Sequence, residues 1–141
     1  MTISEAIERA DRLMPNQYDR EQKVRWLSEL DGQAEREVFD RCEDPPEGGF
    51  VPYNPETDMD KELRIPAPWN GIYLDWLQAQ YSYYNAEFTR YGNAQEKFNN
   101  AYLSFTAAWL RSHMPKQAAY LRSQEGGAHA AANAHAAPGG E

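Results

Sequence analysis

The sequence predicts an all-α domain of four helices, with a long acidic loop between the second and third helices and a disordered tail. Three observations indicate this class: apolar residues at helical spacing near the N-terminus, a proline- and glycine-rich interruption, and a long aromatic stretch that again has helical spacing. At 141 residues the chain has the length of one domain. We assign 1–116 to the helical domain, 117–123 to a short arm and 124–141, which is low-complexity and rich in Ala and Gly, to the tail.

The first two helices are predicted from their starts. Thr2 and Glu5 form the S/T-x-x-E pattern of a capping box, and Pro15 ends the helix that follows. Asp19 is the expected N-cap of a second helix that continues to about Arg41. The apolar residues of this second helix share one face: Val24, Leu27, Leu30, Ala34 and Val38.

Residues 42–68, which we call the acidic loop, contain seven acidic and two basic side chains. Their prolines and glycines disfavour a helix. Two short apolar pieces, Phe50-Val51 and Leu63–Ile65, could pair as a minimal two-stranded ribbon at the base of the loop. A loop of this length in so small a domain is usually functional or mobile.

The aromatic stretch, from Arg64 to Tyr91, predicts a long third helix. It should begin at about Trp69, because proline precedes it, and end near Gly92. A fourth helix then begins at Asn93 and ends at His113. One continuous helix with a kink at Gly92 is the alternative interpretation.

Aromatic and apolar side chains cover about 200° of the third helix, twice the stripe that a surface helix needs. The inner half of this arc fits a helix buried within the domain, with Tyr84 and Phe88 in the core. The outer half, and a second apolar face on the fourth helix, predict contacts between copies. The expected oligomer interface is Trp69, Tyr73, Trp76, Tyr83, Leu103 and Leu110, and the expected buried polar residues are Asp31, Gln80 and Glu87.

No motif predicts a catalytic residue, a cofactor site or a metal site. Asp31 interrupts the apolar face of the second helix and could be a general base, but a structural hydrogen-bond acceptor is the favoured role. Cys42 and His113 lack the spacing of a metal site, and a nucleophile pair of these two is disfavoured. Asp58 and Asp60 do not complete a calcium-loop pattern.

Charge and composition exclude several classes. The formal charge of −8 argues against a general nucleic-acid clamp. A single cysteine favours a reducing compartment, and the charged N-terminal segment lacks the apolar region of a signal peptide. No stretch reaches the ~20 apolar residues of a membrane span, so we expect a cytosolic protein without a membrane partner.

Three segments resemble one family: "PNQYDREQKVRWLSELDGQ" at 15–33, "RIPAPWNGIYLDWLQAQYSYYNAEFTRYGNAQEKFNNAYLSF" at 64–105, and "HMPK" at 113–116. They are similar to the head–tail connector proteins, also called adaptor or head completion proteins, of tailed phages and prophages of Gram-positive hosts. The "WLSELDG" and "PAP(W/Y)…Y" segments are the most distinctive. The similarity spans 1–116, and the alanine-rich chain after Ser123 departs from the family.

The resemblance implies a helical subunit in a ring of twelve copies beneath the portal protein of the capsid. This ring extends the DNA channel and binds the next neck or tail component, so the expected location is the virion neck, and the host cytoplasm during assembly. By position, Pro115–Ser123 becomes a portal-docking arm that contains Lys116, Tyr120, Leu121 and Arg122. DNA passes through without specific binding, since an acidic wall repels phosphate; the acidic loop could line the channel or contact a neighbouring copy.

Three other interpretations stay open at this point. A different small phage or prophage assembly protein would share the helical oligomer but lack the portal contact. A regulatory module could capture a host protein through its exposed aromatic side chains. A small hydrolase that uses Asp31 or the loop acids is the least favoured.

Overall fold

Four α-helices form most of the described part of the chain in the computed structural model, which describes residues 1–114 and Lys116. They are α1 (Ile3–Leu13), α2 (Arg20–Glu37), α3 (Ile72–Tyr84) and α4 (Phe88–Ser112), with short 3₁₀ turns at Phe39–Arg41 and Trp69–Gly71. The described residues contain no strand, so the all-α class is confirmed for them. The predicted arm at 117–123, with Tyr120, Leu121 and Arg122, and the predicted tail at 124–141 lie outside the described residues.

The starts of α1 and α2 are as predicted. The Thr2 side chain accepts a hydrogen bond from the backbone N–H of Glu5 at 3.1 Å. Asp19 accepts one from the N–H of Gln22 at 2.8 Å. Each bond satisfies an N–H group that has no partner inside its helix, which is why these local patterns determine where a helix begins.

The core lies where α1, α2 and the antiparallel pair α3 and α4 meet. It is rich in aromatic rings: Phe39 packs edge-on against Phe105 at a centroid distance of 6.0 Å, and Trp76 lies 5.0 Å from Phe98. The largest fully buried side chains include Tyr73, Tyr81, Phe39, Phe105, Leu27, Leu30 and Leu77. Much of the aromatic arc is therefore covered by the chain itself.

The boundary between the third and fourth helices differs from the prediction. α3 ends at Tyr84 and α4 runs straight through Gly92. The chain reverses at Ala86, whose φ is +59°. Glu87 N–H donates to Ser82 C=O at 2.9 Å and Ala86 N–H to Tyr83 C=O at 3.0 Å, the two bonds of a Schellman motif. The reversal folds the aromatic face of α4 back onto α3, which a single long helix could not do.

Ala86→Gly is expected to stabilise the protein by up to about 1 kcal/mol. Alanine at positive φ suffers a clash of its Cβ that glycine avoids, although glycine also raises the entropy of the unfolded chain. Urea denaturation measures the change. Ala107→Gly is the matched control: this exposed residue lies inside α4, and the same change there should cost about 1 kcal/mol. Equal losses at both positions would contradict the assignment of strain to Ala86.

The predicted ribbon within the acidic loop is wrong. Residues near its end pair instead with the N-terminus, through an antiparallel bridge between Thr2 and Glu62 and a 3.0 Å bond from Leu63 N–H to Met1 C=O. Phe50 lies on α2, where a Cβ built on Gly32 would come within 3.2 Å of its ring. Phe50 and Leu63 therefore find partners outside the loop, whereas Val51 is 65% exposed.

Candidate interaction surface

Asp31 is fully buried and holds three parts of the fold together. Its carboxyl group accepts hydrogen bonds from the hydroxyls of Tyr53 and Tyr73 and, at 3.0 Å, from the backbone N–H of Arg64. The Tyr73 hydroxyl in turn accepts from the Ile65 N–H at 2.6 Å. Burial raises the pKa of Asp31, while these hydrogen bonds act in the opposite direction. The residue connects α2, the acidic loop and α3, which is the role of a structural acceptor.

Arg64 fixes the acidic loop against α2. One guanidinium nitrogen lies 2.5 Å from the Glu35 carboxylate, and the other donates to the backbone carbonyls of Glu47 and Gly49 at 3.2 and 2.9 Å. In the same loop, Asp58 accepts the Asn54 N–H at 2.7 Å and so closes a turn. These bonds hold the loop in place. They leave no set of polar groups arranged to bind a ligand at these residues.

A second polar cluster joins α1, α2 and α3 around Asp11. Its carboxylate contacts the Lys23 ammonium, the Tyr81 hydroxyl and the Asn16 amide, each at 2.9 Å. Burial opposes ionisation of Asp11, but these three hydrogen bonds together outweigh it, so its pKa is lowered. Lys23 is buried, and its ammonium group is paired with the Asp11 carboxylate. The cluster contacts α3 near its last turn, whereas Asp31 contacts α3 in its first turn.

The residues predicted for the oligomer interface differ in how much of each side chain is exposed. Tyr73 is fully buried by its own chain, so its assignment to an interface between copies is wrong. Trp69, Trp76 and Leu110 are half-buried, and the Trp76 indole N–H donates to the Trp26 carbonyl at 2.8 Å. Tyr83 and Leu103 are exposed.

Four further sequence assignments concern residues near the end of α3. Glu87 is exposed rather than buried, because it lies in the reversal after α3 instead of inside a long helix. Gln80 is half-buried. Tyr84 and Phe88 were expected in the core, but this expectation is wrong, because they are 58% and 64% exposed.

We call the side chains of Tyr83, Tyr84, Phe88 and Tyr91 the aromatic knob. Tyr83 is at its centre: its ring centroid lies 5.1 Å from that of Tyr84, 6.4 Å from Phe88 and 5.2 Å from Tyr91. Tyr84 also stacks on Trp26 at 5.5 Å, which anchors the knob to the core. Exposed aromatic rings that are held rigidly at low entropic cost are typical of protein interaction sites.

A groove opens on another part of the surface, where the end of α1 meets α3 and α4. We define it by Leu13, Trp69, Leu74, Asp75, Ala101 and Ser104, and its volume is about 380 Å³. Its lining is mostly apolar, with one ion pair at the edge between Lys97 and Asp75 at 3.2 Å. Because three separate helices supply this lining, no sequence pattern could have predicted the groove.

The residues considered for nucleophilic chemistry are engaged locally. The buried Cys42 thiol contacts the Val38 carbonyl at 3.4 Å, and burial raises its pKa. The His113 ring stacks on Trp109 at a centroid distance of 3.7 Å. None of these contacts joins the cysteine to the histidine. Across residues 1–114 and Lys116, no three metal-ligating side chains come together, and no helix is long and apolar enough to cross a bilayer.

Comparison of the chain with protein-family models, with curated proteins and with solved structures gave no match.

Proposed function

We propose that the chain is a structural protein of the virion neck, a ring-forming adaptor between the portal protein and the tail that extends the DNA channel. The similarity of residues 1–116 to the head–tail connector family supports the location and the partners. In this proposal the protein has no catalytic role. Its partners are further copies of itself, the portal protein, and the next neck or tail component.

The exposure of the aromatic knob is the main observation in support of self-association. Tyr83, Tyr84 and Phe88 are 49%, 58% and 64% exposed, and they are continuous with one another. Leu103, on α4, is also exposed. Exposed, contiguous aromatic rings are often functional contact surfaces, so these side chains favour coverage by another protein chain.

The charge of the chain supports passage of DNA without binding. A net charge of −8 repels phosphate, and the acidic loop is the most negative segment. Lys116 is exposed at the end of the described chain, where the proposed docking arm begins. The arm would reach the portal from there.

The test is mass measurement of the full chain in solution, alone and with purified portal protein. We expect a ring on the portal with about twelve copies, since that is the number the family resemblance implies. A variant that ends at Lys116 should lose portal binding and keep its fold. If the chain did not bind the portal but formed a dimer with a host protein, the result would support the alternative interpretation as a regulatory module. Gel-shift with duplex DNA should show weak binding or none.

A further inference from the structure

We propose that the aromatic knob of one copy inserts into the groove of a second copy, so that repeated knob-to-groove contacts link the ring. This rests on the proposed function and deepens it, because it names the two surfaces through which neighbouring copies meet. Three features of the described residues support the pairing: the size of the groove, the charges beside both surfaces and their relative positions.

The groove has the right size for the knob. A protein cavity of about 150 Å³ can hold one benzene molecule. The groove, at about 380 Å³, therefore has room for two rings of the knob, such as those of Tyr83 and Phe88. These rings already lie together, 6.4 Å between centroids, so that they can enter as one unit without first being ordered.

The charges beside the two surfaces are complementary. Next to the knob, Arg90 pairs with Glu87 at 3.0 Å, and at the edge of the groove Lys97 pairs with Asp75 at 3.2 Å. Each surface thus carries one acid and one base. In a contact between copies, Glu87 could pair with Lys97 of the neighbour and Arg90 with its Asp75, in place of the pairs within each chain. Such an exchange of partners favours a second copy of this chain as the occupant.

The positions of the two surfaces make the contact head-to-tail. Phe88 belongs to the knob and Ser104 to the groove, and both are on α4. At ~1.5 Å and ~100° per residue they lie about 24 Å apart along the helix and about 160° apart around it. In this proposal one neighbour covers the knob and another neighbour fills the groove. Each copy therefore has two neighbours, which produces a ring or a filament rather than a two-fold dimer.

Each single contact is expected to be weak. Aromatic side chains bury about 150–250 Å² each, and those of the knob are half covered already, so the knob supplies about 300 Å². A stable interface buries about 800 Å² per partner. Assembly should therefore depend on protein concentration and on closure of the ring, and the portal should promote it by collecting the copies.

The experiment uses two variants that each damage one surface. Phe88→Asp removes a ring of the knob, and Leu13→Glu places a charge at the rim of the groove; both residues are exposed, so the fold should survive. Sedimentation should show self-association weakened by about tenfold or more in each. Val51→Asp is the matched control, because Val51 is 65% exposed, against 64% for Phe88, and lies in the acidic loop. It should assemble like the unchanged protein.

Mixing the two variants gives the decisive result. Phe88→Asp retains its groove and Leu13→Glu retains its knob, so an equimolar mixture at high protein concentration should form a one-to-one pair that cannot grow. Each variant alone should stay monomeric. Circular dichroism of each variant controls for loss of fold.

Three outcomes would overturn the inference. If both variants assembled like the unchanged protein, the knob and the groove would not be the surfaces that join neighbouring copies. The adaptor function would be unaffected by that result. Loss of self-association on truncation after Lys116 would indicate that the arm occupies the groove. If the unchanged protein were monomeric at high concentration and did not bind the portal, the proposed function would be wrong as well.

Discussion

Asp31→Ala is expected to lower the free energy of unfolding by about 3 kcal/mol or more. The change leaves the hydroxyls of Tyr53 and Tyr73 and the N–H of Arg64 without their acceptor, and a buried unsatisfied donor costs about 1–3 kcal/mol. Urea denaturation at neutral pH measures the loss. The acidic loop and α3 should both loosen, because Asp31 connects each of them to α2.

Two variants control this prediction. Asp31→Asn keeps one oxygen acceptor and should lose less stability than Asp31→Ala. Glu29→Ala removes an exposed carboxylate from the same helix and should change stability by about 0.5 kcal/mol or less. If Asp31→Ala proved as stable as the unchanged protein, Asp31 would not be a structural acceptor, and its burial would need another explanation.

Phe105→Ala is expected to cost about 3–5 kcal/mol, the range for truncation of a buried aromatic side chain. The Phe105 ring is fully buried and packs against Phe39, Tyr102 and Trp109 with centroids 6.0–6.2 Å away. The cavity left behind cannot be refilled by these rigid rings. Thermal and urea denaturation both measure the effect.

Phe88→Ala is the matched control for Phe105→Ala, with the same chemical change on the same helix. Phe88 is 64% exposed, so its truncation should cost less than about 1 kcal/mol. A loss as large as that of Phe105 would mean that the knob is part of the core.

Local signals in the sequence predicted the starts of the first two helices, but not the reversal between α3 and α4. The caps at Thr2 and Asp19 depend on residues three positions away, so they can be read directly from the sequence. The reversal uses Ala86 at positive φ, where glycine is the usual signal, and Gly92 lies inside a helix. Packing of α4 against α3 overrides the local preference at both positions.

Helical periodicity also could not decide which side of the aromatic arc faces inward. It identifies the residues that share a face, but an arc of about 200° leaves several orientations open. Tyr73 is buried because α2 and the acidic loop cover it through Asp31, a contact between residues far apart in sequence. Phe88 is exposed because it follows the reversal, which changes the phase of the periodicity. Both outcomes depend on tertiary contacts.

Cys42, the one cysteine of the chain, is fully enclosed near the end of α2. Because burial raises the pKa of its thiol, little of the reactive thiolate is present while the protein is folded. Maleimide dyes added to the native protein should therefore attach only at cysteines introduced on the surface. A fluorophore pair at chosen positions could then measure distances between neighbouring subunits without first removing the natural sulfhydryl.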